Sequence, residues 1–208
     1  VPDSKVHGIS LSKEQLAWAQ RRINALGLQD RVTLEHCDYR TFAAAHGGEF
    51  DRVVSVEMIE AVGLNHMGEY FACVDRMLAP RGVACIQAIT IPESRFDEYA
   101  KSADFVNTII FPGGALASLA VLTDSMYRNS SLTVHSVENF AAHYAATLAA
   151  WYENFNAVLP RVRELGFDDA FIRMWNYYLK YCEAGFATNG LGLLVLTFTR
   201  PSNQDIDI

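Results

Sequence analysis

Ser10, Ser12 and Gln15 crowd the point where an alternating segment gives way to a helical one. In an open α/β sheet, ligands sit beyond the carboxyl ends of the strands. Three polar side chains at such a turn suit a hydroxyl-rich ligand such as a ribose. The same residues have a purely structural use, because Ser12-Lys-Glu-Gln15 has the spacing of a capping box. A second feature is Cys182, which shares a helical face with Phe171, Trp175 and Tyr178. A nucleophilic thiolate requires electropositive neighbours, and none stands near Cys182 in the sequence, so it reads as a lining residue. Cys37, Cys73 and Cys85 make no C-x-x-C pair, and no His/Cys cluster has zinc spacing, so no metal is expected.

Hydrophobic periodicity supplies the elements around these residues. Val6, Ile9 and Leu11 mark a strand. Leu16, Ala19, Ile23 and Leu26 repeat at helical spacing, and Gly27 closes the run. Val32–Cys37 and Phe50–Val56 are further strands, the second apolar enough for burial on both faces. Met67, Tyr70, Phe71, Val74, Met77 and Leu78 form a helical stripe ended by Pro80-Arg-Gly82, and Val83–Ile91 is the next strand. This alternation predicts an α/β fold with a mostly parallel sheet and right-handed crossovers. A mainly helical, aromatic stretch follows over about 95–187, interrupted by a short strand near Leu132–Val137, and Leu193–Thr199 is a closing strand.

The 208 residues fit one domain, and 50% hydrophobic with 12% aromatic residues excludes a disordered chain. A net charge of −7 argues against a nucleic-acid footprint. No apolar run reaches the roughly 20 residues that span a bilayer, and no signal peptide opens the chain, so a cytoplasmic location is expected.

Longer strings carry more. Gly8-Ile-Ser-Leu-Ser-Lys-Glu-Gln15, Asp38-Tyr-Arg40, Phe50-Asp-Arg-Val-Val-Ser-Val-Glu-Met-Ile-Glu-Ala-Val-Gly63 and Phe111-Pro-Gly-Gly114 fall in order. Trp151-Tyr-Glu-Asn-Phe155, Arg173-Met-Trp-Asn-Tyr-Tyr-Leu179 and Cys182-Glu-Ala-Gly-Phe186 follow them. Together, from Val6 to Arg200, they resemble the cyclopropane-fatty-acyl-phospholipid synthase family, which includes the mycolic acid cyclopropane synthases. The resemblance implies a class I methyltransferase fold, a Rossmann-like sheet whose last strand is antiparallel, with a helical insert over about 95–187. It implies S-adenosylmethionine as cofactor, with Ser10, Leu11, Ser12, Lys13, Glu14 and Gln15 on the ribose and methionine side and Asp38 and Tyr39 at the adenine. It also implies a first strand, a glycine-rich loop of the E-x-G-x-G-W-G kind and a first helix ahead of Val1. Lacking that loop, the 208-residue chain is expected to bind S-adenosylmethionine weakly or not at all, and to be inactive alone.

The reaction so implied adds a methylene across a cis double bond of a phospholipid acyl chain. It needs an aligned methyl donor, an electron-rich surround and a base in an apolar tunnel. In the family a bound bicarbonate is the base. Residue by residue, Glu60 would accept its hydroxyl, Tyr144 would hold it, and the carbonyl of Ile89 would complete the set. Gln87 stands where several members have His, and an amide can donate but cannot shuttle a proton. Glu57 competes with Glu60 for the carboxylate role. Cys182 lines the site, and Phe105, Phe111, Tyr127, Phe140, Trp151, Tyr152, Phe155, Trp175 and Tyr178 are candidates for the tunnel. The partners implied are membrane acyl chains, with peripheral contact at the inner membrane face; a homodimer is compatible. Two alternatives stay open: another acceptor, giving a branched methyl lipid or a methylated amine, and a non-catalytic fragment.

Overall fold

A computed structural model of the chain describes residues 3–204 and 206. Among the described residues, six strands and eight α-helices follow in chain order: β1 (Val6–Ser10), α1 (Lys13–Ala25), β2 (Val32–His36), α2 (Tyr39–Ala45), β3 (Phe50–Val56), α3 (Met67–Met77) and β4 (Leu78–Thr90). They continue with α4 (Glu93–Tyr99), α5 (Leu119–Asn129), β5 (Thr133–Asn139), α6 (Ala141–Ala157), α7 (Leu159–Glu164), α8 (Asp169–Ala187) and β6 (Gly192–Thr199). β1 pairs with β2 in parallel. β3 and β4 are parallel, and β6 lies antiparallel to both β4 and β5, giving the order β3-β4-β6-β5. The last strand is therefore the antiparallel one. β5 divides the helical stretch and belongs to the main sheet, and its helices fall on either side of it in sequence.

Among the described residues the strands form two separate sheets, β1-β2 and β3-β4-β6-β5. β1 and β3 both line one open cavity, and no described strand bridges them. The expectation that β3 is buried on both faces fails here. Val54 is 69% exposed and Val56 61% exposed. The cause is the missing neighbour: a parallel strand rich in valine is covered only when both edges and both faces are occupied.

The apolar stripe of α3 is buried, whereas Leu26, part of the first helical stripe, is 65% exposed. Met67, Tyr70, Phe71 and Val74 of α3 and Leu122 and Met126 of α5 pack on Ile86, Leu196 and Phe198 of the main sheet. Leu148 of α6 and Leu179 and Phe186 of α8 form a second core with Leu193. A third, smaller core joins Phe42 and Ala43 of α2 to Cys73 and Met77 of α3. Ser12 caps α1, its hydroxyl accepting from the Gln15 N–H at 3.2 Å. The reciprocal half of the capping box is absent. Gln15 turns its side-chain oxygen to the Ser10 hydroxyl at 2.9 Å, and Ser10 also accepts from the Ser12 N–H at 3.1 Å.

Candidate active site

Two cavities meet at the carboxyl ends of the strands. The first, about 790 Å³, is lined by Ser10, Leu11, Ser12 and Gln15 from the β1–α1 turn and by Asp38 and Tyr39 from the β2–α2 turn. Lys13 and Glu14 lie outside this lining, on the exposed first turn of α1. Asp38 caps α2 through the Arg40 N–H and accepts two bonds from the Arg40 guanidinium, at 2.9 and 2.8 Å. These bonds hold its carboxyl down at about 2, so it is ionised throughout the neutral range. A carboxylate has about four acceptor sites, so Asp38 keeps capacity for one more donor.

The second cavity, about 900 Å³, is mostly apolar. Ile89, Ile91, Tyr99, Phe111, Tyr178 and Cys182 are among its lining residues. Glu57 and Ala61 line both cavities and so mark the junction. Of the aromatics considered for a tunnel, only Phe111 and Tyr178 line the cavity; Tyr127 is exposed. Tyr99, Tyr181 and Phe186 do line it, and periodicity alone could not distinguish them from core.

The polar groups at the junction come from three elements. β3 ends at Val56, and Glu57 then takes the left-handed backbone conformation, φ 51°. Its N–H donates to the Gln87 carbonyl at 2.9 Å. Its carboxylate accepts from the Gln87 amide at 2.8 Å through one oxygen and from the Tyr144 hydroxyl at 3.0 Å through the other. Glu60 lies one turn further on, in a short 3₁₀ segment, Ile59–Ala61. One Glu60 oxygen accepts from the Ile89 N–H at 2.6 Å. The other is buried and has no hydrogen-bond partner among the described residues. Burial raises the Glu60 carboxyl from its ordinary 4.5 to about 6, partly opposed by the Ile89 N–H.

The hydroxyl and thiol groups nearby are kept protonated. Burial, then the charge of Glu57, raises the Tyr144 hydroxyl. Burial pushes Tyr178 up to about 12 and the Cys182 thiol up to about 11, with Asp104 adding to the latter. At neutral pH these groups can donate hydrogen bonds but cannot act as bases. The carboxylates are the basic groups of the junction.

Comparison with known proteins follows the same lines. The family model described as "Mycolic acid cyclopropane synthetase" matches residues 2–195. The chain belongs to this family. A tuberculostearic acid methyltransferase of Mycobacterium tuberculosis is 38% identical over 94% of this chain and 45% of its own length. The cyclopropane-fatty-acyl-phospholipid synthase of Escherichia coli strain K12 is 35% identical over 95% of this chain and 48% of its own. The chain thus spans about half the length of these relatives. A solved mycolic acid cyclopropane synthase, CmaA1 complexed with SAH and CTAB, superposes with a TM-score of 0.82 at 24% identity, over 95% of this chain and 70% of that one. The fold is that of the class I S-adenosylmethionine-dependent methyltransferases.

Against the family's pattern, the structure sorts the expected residues into two groups. Glu60, Ile89 and Cys182 line the apolar cavity. Gln87 and Tyr144 do not; they stand behind Glu57 and hold it. Tyr144, expected with Glu60 around one bound anion, donates to Glu57, while Glu60 accepts from Ile89. The Ile89 group that meets Glu60 is its backbone N–H.

Proposed function

We propose that the protein carrying this chain transfers a methyl group from S-adenosylmethionine to the cis double bond of an unsaturated phospholipid acyl chain and closes a cyclopropane ring. The observation that supports it best is the junction itself: a carboxylate on Glu57 shared between a polar cavity and an apolar one. The polar cavity has the size of a small-molecule site and the donors and acceptors of a nucleoside site. Ser10, Ser12 and Gln15 would hold ribose hydroxyls, Asp38 would accept from the adenine amino group, and Tyr39 would flank the ring. S-adenosylmethionine, when bound, supplies an electrophilic methyl group. The apolar cavity would take an acyl chain, and Tyr178 in its lining is an aromatic group of the kind that can stabilise positive charge.

The test is lipid mass spectrometry on a host that makes monounsaturated phospholipids and expresses the complete gene. A gain of one CH₂ with loss of ozone cleavage at the former double bond supports ring closure. Lipids unchanged in mass, with methyl transfer seen only to amines, would overturn it. A second reading, a methylene or methyl branch in place of the ring, is favoured by the 38% identity to a relative named as a tuberculostearic acid methyltransferase. A methylene branch shows as a gain of CH₂ with ozone cleavage retained; a saturated methyl branch, which needs two further hydrogens from a reductant, shows as a gain of CH₄ with cleavage lost.

A further inference from the structure

The resemblance to the cyclopropane synthases assigns Tyr144, Gln87 and Glu60 to a bound bicarbonate, but the donors at the junction are already committed. Tyr144 has a single hydroxyl proton, and it goes to Glu57. The Gln87 amide donates to the other oxygen of the same carboxylate. The Ile89 N–H is taken by Glu60. A bicarbonate placed here would have one spare amide proton of Gln87 as its donor among these groups. It would also lie between two carboxylates, and burying an anion with so little pairing is costly. The residues do not fit a bound bicarbonate. They fit the O–C–O group that Glu57 itself provides, each oxygen meeting one of the two side-chain donors.

The backbone supports the same conclusion. A glutamate at φ 51° is uncommon, and the left-handed region costs an L-residue roughly 1–2 kcal/mol. That conformation carries the side chain off the end of β3, where Glu57 borders both cavities. Glu60 is less suited to the role, because one of its oxygens is held by the Ile89 N–H and it borders only the apolar cavity.

We propose that Glu57 is the general base of the reaction, a built-in carboxylate in the place of the family's bicarbonate, with Gln87 and Tyr144 as its positioning residues. The proposal rests on the methyl transfer argued above. In the step concerned, the alkene π pair forms a bond to the incoming methyl carbon, whose former bond leaves its electrons on the donor sulfur. The acyl chain is left as a carbocation. Glu57 then takes a proton from the new methyl, and the freed C–H pair becomes the last bond of the ring. The proton passes from Glu57 to water, so CH₃⁺ enters, H⁺ leaves and the lipid gains CH₂.

The experiment uses the protein expressed from its complete gene, monounsaturated phospholipid vesicles, and buffer either stripped of CO₂ or supplemented with millimolar bicarbonate. The wild type should turn over at rates within about twofold in the two buffers. Glu57→Gln should lose about 10²–10⁴-fold in kcat, the range of a positioned acid–base group. Glu57→Gly should be inactive in stripped buffer and gain turnover on adding bicarbonate, a response no merely structural role predicts. Wild-type turnover that collapses without bicarbonate and returns with it would overturn the proposal while leaving the methyl transfer intact. So would full activity in Glu57→Gln. No turnover by the wild type in either buffer would sink the methyl-transfer reading, and the role of Glu57 with it.

Discussion

Glu60→Gln should make the protein more stable in alkali relative to acid, and the size of the effect follows from the burial of one carboxyl. Below about 4.5 the Glu60 side chain is protonated in both the folded and unfolded states. Between 4.5 and about 6 the folded protein keeps a proton that the unfolded chain has released. Stability therefore falls as pH rises through that window and is flat above it. The gap between 4.5 and about 6 corresponds to about 2 kcal/mol, carried by the wild type at pH 8 and absent at pH 4. Glutamine removes the charge and keeps an oxygen for the Ile89 N–H. It also puts an amide where the partnerless oxygen lies, at a cost of about 1–3 kcal/mol that does not depend on pH. The quantity to measure is thus the change in the mutational effect between pH 8 and pH 4. It should be about 2 kcal/mol in favour of the variant at the higher pH, or about 4–8 °C in Tm for a domain of this size. Paired thermal scans of wild type and variant at the two pH values give it directly. A mutational effect that is the same at both would show that Glu60 is not desolvated as described.

Three further outcomes are expected. The Cys182 thiol, held up to about 11, should alkylate with iodoacetamide at pH 7.5 at least tenfold more slowly than a free cysteine, read by peptide mass spectrometry; equal rates would contradict its burial. Asp75→Ala should destabilise the protein by about 2–4 kcal/mol in denaturant titrations. It would leave the half-buried Arg200 guanidinium, 2.7 Å from the Asp75 carboxylate, without its anion. The 208-residue chain by itself should bind S-adenosylmethionine far more weakly than the protein from the complete gene, because the wall of the polar cavity between β1 and β3 is open; a sub-micromolar Kd by calorimetry on the short chain would refute this.

Much of this architecture is legible in the sequence because it is built from local patterns. All six strands and the helices α1 and α3 announce themselves by period, cap or glycine stop. β5 is visible as a short apolar alternation inside a helical stretch, although its place at the sheet edge depends on a long-range pairing with β6. What periodicity misreads is β3, where valines that look like a doubly covered strand stand exposed for want of a neighbour. The site divides in the same way. Ser10, Ser12, Gln15, Asp38 and Tyr39 lie at strand ends, where topology alone brings them together. The choice between Glu57 and Glu60 as the partner of Tyr144 is invisible to spacing. Three residues apart, the two carboxylates are separated by a single backbone dihedral that turns Glu57 out of the strand.

That dihedral connects the energetics to the chemistry. Two local rules are broken within four residues: a glutamate sits at positive φ, and a carboxylate is buried with one oxygen unpaired. Together they cost roughly 3–4 kcal/mol at neutral pH and above, a large fraction of a typical domain's net stability. The first could be relieved by Glu57→Gly, and Glu60→Gln would remove the buried charge while leaving a polar atom unpaired in its place. Strain of this kind persists where the surrounding structure enforces it, and it gathers at working sites. Here the enforcing contacts are the Gln87 carbonyl and amide and the Tyr144 hydroxyl on Glu57, and the Ile89 N–H on Glu60. β4 supplies Gln87 and Ile89, two positions apart in one strand, so a single rigid element holds both carboxylates in register. A shift of β4 would move both acids together, so substitutions that loosen β4 against β6 should impair turnover before they unfold the chain.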